Sequence, residues 1–511
     1  MNDDTLTQTI EIPHASMREL RDRGELPTTK EGLAIELTLR VGELMASSGA
    51  SAKETVVMMR RICHAYGLNR AQLDVTYNVI MASYYPGEGL PPVTAMRNVS
   101  PVLPNLSKVS KVNELVAQIT GGISISRATR RFDRIRKSGP PYPVWLAALA
   151  SGGISMTVQG FYTTSPKVLI LALIVGVLIN RFVYMLRLVG LPTIFQQLFG
   201  GWLVVAIAAG VAWLNGHPII AFLGYISPTT IAVSCIFQMV AGARFVAGVH
   251  DAIDGYYVTA TARVLEVIML TTGLVIGLVT GLDAARRFGI AVQIDATAPV
   301  AGSVPIPFVA GAVTCTAILW AIGNFANLRT VLMTAGVTLF GWLAYWGVKQ
   351  MPIDPVFASF AGPLVGAFIA TVLVRRIWQV PVFGVINGMV LPYLPGLALY
   401  LGLIQMVGSS SADPDPSKGS ATLFTAAVTA LAISAGANLG VFLGRPVVEK
   451  LMLRPRSWHQ MMTTPVSVKP KEKKAKPVLV QPPPSQISAT TVREPSELPN
   501  LPEVDDGIFV Q

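Results

Sequence analysis

The chain has 511 residues, of which 51% are apolar and 14% charged, and its mean hydropathy is positive. A soluble domain carries about 25% charge, so an ordinary soluble enzyme is excluded as a description of the whole. The charges are also segregated, with 12 Lys/Arg and 8 Asp/Glu in residues 143–444 and 49 of the 69 charged residues on the other 209 positions.

That middle segment reads as an all-α membrane domain. Its apolar runs recur at roughly 20 residues, the length an α-helix needs to cross a hydrocarbon core about 30 Å thick, and they lack the alternation of a barrel strand. The net charge of +11 divides as +4 before residue 143, +4 within the membrane part and +3 after residue 444. No segment has the footprint of a nucleic-acid binder, so no such partner is expected. Arg127, Arg130, Arg131, Arg134, Arg136 and Lys137 stand just ahead of the first span, which places the N-terminus in the cytoplasm. Cys63, Cys235 and Cys315 are too few and too scattered for a disulfide framework or a zinc site, and neither metal nor cofactor is expected. The first 30 residues lack an apolar h-region, so no cleavable signal peptide is expected.

In chain order, residues 1–30 are polar and read as disordered. Residues 31–138 read as a small α+β domain on the cytoplasmic side. Its first helix runs from Leu33 to Ala46, and a second starts at a Ser51 cap with Glu54 three residues on and ends at Tyr66-Gly67. Leu73–Tyr85 and Val93–Val99 then read as two strands separated by Pro86-Gly87-Glu88-Gly89. Helices near Ser107–Thr120 and Ser124–Lys137 lead to the membrane.

Ten spans follow, at 143–162, 166–186, 199–215, 217–250, 260–282, 306–325, 328–348, 355–376, 379–407 and 421–443. An even number returns the C-terminus to the cytoplasm, and Arg445, Lys450, Arg454 and Arg456 agree with that orientation. The expected protein is thus multi-pass in the cytoplasmic membrane, with the lipid bilayer as a partner. After residue 453 the chain becomes a Lys/Pro-rich tail read as disordered, which either touches anionic lipid or only aids solubility.

The spans form two halves, 143–283 and 306–444. The fifth span of each carries GxxxGxxxG: Gly273, Gly277 and Gly281 in the first, Gly436, Gly440 and Gly444 in the second. Such faces pack helices closely, either within one chain or between two copies, so a homo-oligomer is open. The fourth span of each half is over-long and interrupted, at Pro228 and Gly242 in one and at Pro392, Pro395 and Gly396 in the other. Interrupted helices in matching positions point to a transporter's substrate site. Five spans per half is an odd number, so the second half enters from the opposite side and the expected architecture is an inverted 5+5 repeat.

Charges inside apolar spans are costly and mark function. The strongest group is Asp251, Asp254, Arg263 and Glu266, with Tyr257, Thr259 and Thr261 nearby. Arg263 and Glu266 share a helix face and are expected to pair. One reading has them anchor the helix at the headgroups while the aspartates cap it; the other has Asp251, Asp254 and Glu266 couple transport to protons, with Asp251 the carrier. In the second half Asn387, Tyr393, Pro395, Gly396 and Tyr400 are the polar or backbone-freeing groups, suited to shaping the substrate site or to packing. His250 beside Asp251 suits a proton relay or an interfacial role. Ser47, Ser48 and His64 invite a hydrolase reading, but nothing places them near an orienting acid, and no Walker A sequence supports ATP drive.

Together these residues resemble the threonine/serine exporter family from about Leu33 to Arg454. The resemblance rests on Arg40-Val-Gly-Glu43, Ser47-Ser48-Gly49-Ala50, Glu54 and Ala65-Tyr66-Gly67-Leu68, and on Gly190-Leu-Pro192, Gln196-Gln197 and Gly200-Gly201. Above all it rests on Ala241-Gly242 and the segment from Asp251-Ala-Ile-Asp254-Gly255 to Arg263 and Glu266, with Leu394-Pro395-Gly396 and Gly444-Arg445-Pro446 in the second half. It implies a ten-span secondary carrier exporting small hydroxy amino acids at the expense of the proton gradient. Some members of the wider family are associated with dicarboxylates. A zwitterion needs an anionic partner for its ammonium, such as Asp251 or Asp254, and a cationic partner for its carboxylate, such as Arg263. The alternatives are a dicarboxylate exporter of the same fold, a membrane-anchored enzyme with its site in residues 31–138, and a passive channel.

Overall fold

A computed structural model describes residues 30–85, 92–99, 104–215, 226–239, 242–288, 304–377, 382–407 and 415–451. The polar end before Lys30, the Pro86–Gly89 punctuation, Ala241 and the tail from residue 453 lie outside the described residues.

The N-terminal part begins with helices α1 (Lys30–Ser47) and α2 (Ala52–Ala65). Ser51 caps α2 by accepting from the Glu54 backbone N–H at 3.2 Å, as the Ser/Glu spacing predicts. Strands β1 (Gln72–Thr76), β2 (Val79–Tyr84) and β3 (Val93–Asn98) form an antiparallel meander, with Val75 opposite Ile80 and Val79 opposite Asn98. The expected single strand over 73–85 is therefore two. Its turn falls at Tyr77, whose φ is 45°, in a stretch with neither glycine nor proline to betray it. Helices α3 (Leu106–Thr120) and α4 (Ile125–Lys137) complete this part.

Helix α1 is buried on two faces. Ile35 and Leu39 pack with Met59 and Ile80 toward α2 and the sheet, while Leu37, Val41 and Met45 pack with Val112, Leu115 and Phe132 of α3 and α4. Arg40, whose side chain is 1% exposed, survives there because Asp133 lies 2.7 Å away and the Phe132 ring sits under its guanidinium. Glu43 and Glu36 both pair with Arg97 of β3. The Arg40-to-Glu43 motif thus holds the domain together. Ser47 spends its hydroxyl on the Leu44 carbonyl and His64 is exposed at the end of α2, so the hydrolase reading gains no constellation.

The membrane part comprises α5 (Val144–Gln159), α6 (Pro166–Leu188), α7 (Thr193–Asn215), α8 (Pro228–Met239), α9 (Gly242–Ile253) and α10 (Tyr257–Arg287). It continues with α11 (Ile306–Gly323), α12 (Leu328–Lys349), α13 (Pro355–Ile377), α14 (Val382–Val390), a 3-10 turn (Leu391–Tyr393), α15 (Gly396–Val407) and α16 (Pro416–Leu451). Seven described helices are long and apolar enough to cross a membrane, or eight if α8 and α9, bent by 43°, form one span. The other two expected spans contain shorter pieces. Helix α5 stops at Gly160 after 16 residues, and 379–407 is divided at the 3-10 turn because Pro392 and Pro395 each lack an N–H to continue a helix.

The two GxxxGxxxG faces pack in matching ways, α10 against α7 and α16 against α13. A Cβ on Gly273 would stand 2.5 Å from the Ile194 carbonyl oxygen of α7, and Gly277 and Gly281 follow along the same helix against Leu198 and Val205. In the second half Gly436, Gly440 and Gly444 meet Phe360, Leu364 and Thr371 of α13 in the same order. Gly201 of α7 returns the contact, lying against the Leu274 carbonyl. Gly190, at φ +80°, closes α6 before Pro192.

The N-terminal part is joined to one end of the membrane part. Leu106 and Ser107 donate their backbone N–H groups to the carbonyls of Asn324 and Phe325 after α11, each at 3.0 Å, and the Leu106 side chain packs with Ala321, Ala326 and Val331. Gly384 of α14 also abuts Leu106.

Candidate functional site

The acidic segment forms the last turn of α9 and the corner into α10. Gly255, at φ +90°, makes the corner, and the Tyr256 N–H returns to the Asp251 carbonyl at 2.8 Å. Every carboxylate has a cation beside it. Arg263 Nη1 stands 2.7 Å from Asp251 Oδ2, Lys53 Nζ pairs with Asp254, and Arg244 Nη1 lies 2.6 Å from Glu266 Oε1. His250 Nε2 is 3.5 Å from Asp254 and its ring rests on Phe383 of α14. Arg445 of α16 also acts electrostatically on His250.

Asp251 is 0% exposed. Its neighbours are the Arg263 guanidinium and the Ala52 backbone amide of α2, yet neither carboxylate oxygen receives a well-aligned hydrogen bond from the described residues.

The expected Arg263–Glu266 pair does not form. Sharing a face of α10 was insufficient, because Asp251 and Arg244 of the adjacent α9 offer each a partner across the helix pair. Thr259 is buried and turned to the N-terminal part, accepting from the Tyr77 N–H at 3.1 Å and donating to the Val75 carbonyl at 3.2 Å. Tyr257 is 71% exposed, outside the cluster.

The second-half residues occupy a different level. Tyr393 is buried with no partner for its hydroxyl among the described residues, against Tyr345 at 5.7 Å between ring centres. A Cβ on Gly396 would stand 2.7 Å from the Phe237 ring of α8, and one on Gly242 would stand 2.8 Å from Leu394. The two helix breaks therefore meet. Pro395 opens α15, accepting from the Leu399 N–H at 2.9 Å; Asn387 is half-buried on α14; the Tyr400 side chain lies outside the described residues. Gly242 and Asp251 mark the two ends of α9, about 14 Å apart at about 1.5 Å per residue. The expected single site is thus a charged end beside the N-terminal part and a pair of breaks further in.

Lys53, Ala52, Val75 and Tyr77 were not legible as site residues. Their partners lie about 180 to 200 positions away in sequence, and nothing local marks them. Gln197, by contrast, stands in the resemblance: it donates to the carbonyl of Met239, the last residue of α8, at 3.2 Å.

A multi-pass membrane protein in which two broken helices meet, with a buried ion pair at the end of one, has the make-up of a transporter. Residues 36–284 match the family model described as "Putative threonine/serine exporter". Over 445 residues the chain is 29% identical to the "Probable threonine/serine exporter" of Mycobacterium tuberculosis (strain ATCC 25618 / H37Rv), covering 85% of this chain and 81% of that one. Over 430 residues it is 29% identical to the "Threonine/serine exporter" of Corynebacterium glutamicum, covering 83% and 84%. The chain is thus similar, over residues 36–284 and over most of its length respectively, to a family and to two relatives that are named as exporters and not as enzymes. No solved structure matches it significantly.

Proposed function

We propose that the protein is a secondary transporter that exports threonine and serine across the cytoplasmic membrane, driven by the proton gradient. The observation that carries this reading is the fully buried Asp251 carboxylate paired with the partly exposed Arg263 guanidinium at the end of a broken helix, with Asp254 one turn on. An amino acid brings an ammonium and a carboxylate. Its ammonium meets Asp251 or Asp254 and its carboxylate Arg263, each replacing an internal partner by one of the same charge. A proton arriving at Asp251 in place of the ammonium releases Arg263 in turn, which ties the two cargoes to one carboxylate. Glu266, with whichever aspartate does not hold the ammonium, keeps the surrounding charge balance, and the meeting breaks at Gly242 and Gly396, with Asn387, Tyr393, Pro395 and Tyr400, shape the route further in.

The proposed architecture is ten crossings as an inverted 5+5 repeat, with both termini and the domain of residues 31–138 in the cytoplasm. Its support is the equivalent glycine-lined contacts of α10 on α7 and α16 on α13, and the mutual contact of the two interrupted fourth elements.

The test uses proteoliposomes loaded with labelled threonine, serine or succinate, with and without an imposed proton gradient. Gradient-dependent threonine or serine efflux that is lost in Asp251→Asn is the expected result. Succinate efflux alone moves the protein to dicarboxylate export, and flux that never runs uphill makes it a channel.

A further inference from the structure

Helix α2 meets the acidic turn of α9 with its N-terminal end. Its first residue, Ala52, turns a backbone amide to Asp251, and its second, Lys53, carries its ammonium to Asp254. The turn between β1 and β2 grips the start of α10 through Thr259, and the Tyr77 hydroxyl reaches Glu266 at 3.3 Å. All three acidic residues of the corner are thus touched by the N-terminal domain. Because Ser51 caps α2 and Met59 and Ile62 are buried in the domain's core, Ala52 and Lys53 are fixed to that domain and leave only when it does.

The group that Lys53 presents to Asp254 is a primary ammonium, the same group that a free amino acid carries. We propose that Lys53 is a tethered competitor of the substrate: docked, the N-terminal domain fills the ammonium position and covers Asp251, so cytoplasmic amino acid and the docked domain exclude one another. The inference rests on the export reading in the form in which Asp254, the partner of Lys53, receives the ammonium. Its quantitative form is simple. If the docked state holds nine-tenths of the molecules, the apparent KM at the cytoplasmic face is about ten-fold above that of the open site. Raising cytoplasmic threonine or serine then undocks the domain by mass action, and export starts when its cargo accumulates.

The test is the initial rate of transport by the full chain in proteoliposomes, at a series of threonine concentrations on the cytoplasmic face, for wild type, Lys53→Met, Lys53→Gln and Lys53→Arg. Removing the ammonium is expected to lower KM about 3- to 10-fold, the scale of one partly buried ion pair, with kcat unchanged or higher. Lys53→Arg, which keeps a cation at Asp254, should keep the wild-type KM. A misfolded variant loses activity, so a lowered KM cannot arise from damage; Met and Gln guard against one substitution failing to fold. An unchanged or raised KM in the folded Met or Gln variant overturns the competitor while leaving export intact. Wild-type protein that moves neither amino acid overturns the export reading, and the competitor with it.

Discussion

The Arg263 guanidinium stands 2.7 Å from the carboxylate of Asp251, a residue with no solvent exposure. Removing Arg263 leaves the Asp251 charge buried and unmatched, at a cost of about 3–5 kcal/mol. Arg263→Gln is therefore expected to lower the melting temperature strongly in detergent. The double variant Asp251→Asn with Arg263→Gln should recover most of that stability, since a neutral pair carries no stranded charge, and should still fail to transport. Recovery of transport along with stability would reduce the pair to scaffolding.

Glycine at 277 and at 440 is required by the approach of a neighbouring carbonyl, from Leu198 and Leu364 respectively. A methyl group there must push two helices apart. Gly277→Ala and Gly440→Ala are expected to destabilise by about 1–3 kcal/mol or more, read as lower melting temperature and yield. Gly336 of α12 has nothing within 4 Å of its added Cβ, so Gly336→Ala should be neutral or mildly stabilising.

Glu54, at the start of α2, has its carboxyl pushed up to about 7 from 4.5 by burial, against the opposing effects of an Asn113 hydrogen bond and the Arg61 charge. Between those two values the folded state holds a proton that the unfolded state has lost. The associated stability is therefore fully present below about pH 4.5, falls as pH rises toward 7, and levels off above it. The span is on the order of 3 kcal/mol. Melting curves from pH 5 to 8 should slope downward for wild type and much less for Glu54→Gln, which should be the more stable protein at pH 8.

Arg40 offers a test of what the Arg40-to-Glu43 motif is for. Its side chain is 1% exposed and its ion-pair partner is Asp133, 93 residues away. Asp133→Ala is expected to cost about 3–5 kcal/mol by stranding the guanidinium. Limited proteolysis of the full chain should then cut within residues 30–138 first, with the membrane helices surviving longer.

What could be read from the sequence followed from local rules. The Ser51 cap with Glu54 three residues on, the proline-punctuated fourth elements and the two glycine faces are each written in a few consecutive residues, and the close approaches at those glycines are where the spacing placed them. The glycine faces left open whether they join halves, copies or neighbouring helices; their partners lie within each half, a fact that spacing does not encode. Pairing among charges was harder. Arg263 and Glu266 share a helix face, yet each found its counter-ion on α9, because a helix face is wide enough to serve two neighbours. Lys53 was beyond reach, since its contact with Asp254 joins positions 201 apart. The turn at Tyr77 was hidden because a tyrosine occupies a backbone conformation usually left to glycine or asparagine.

The glycine faces also say where this protein is stiff. Two helices in contact backbone to backbone have no layer of side-chain rotamers between them to rearrange, so α10 cannot slide on α7, nor α16 on α13, without lifting off. Each pair behaves as a single beam. The elements with freedom to shift are the short pieces on either side of the breaks, α8, α9, α14 and α15, which have a joint in mid-course. Any movement of helices within the membrane part therefore falls to four short segments beside two rigid struts.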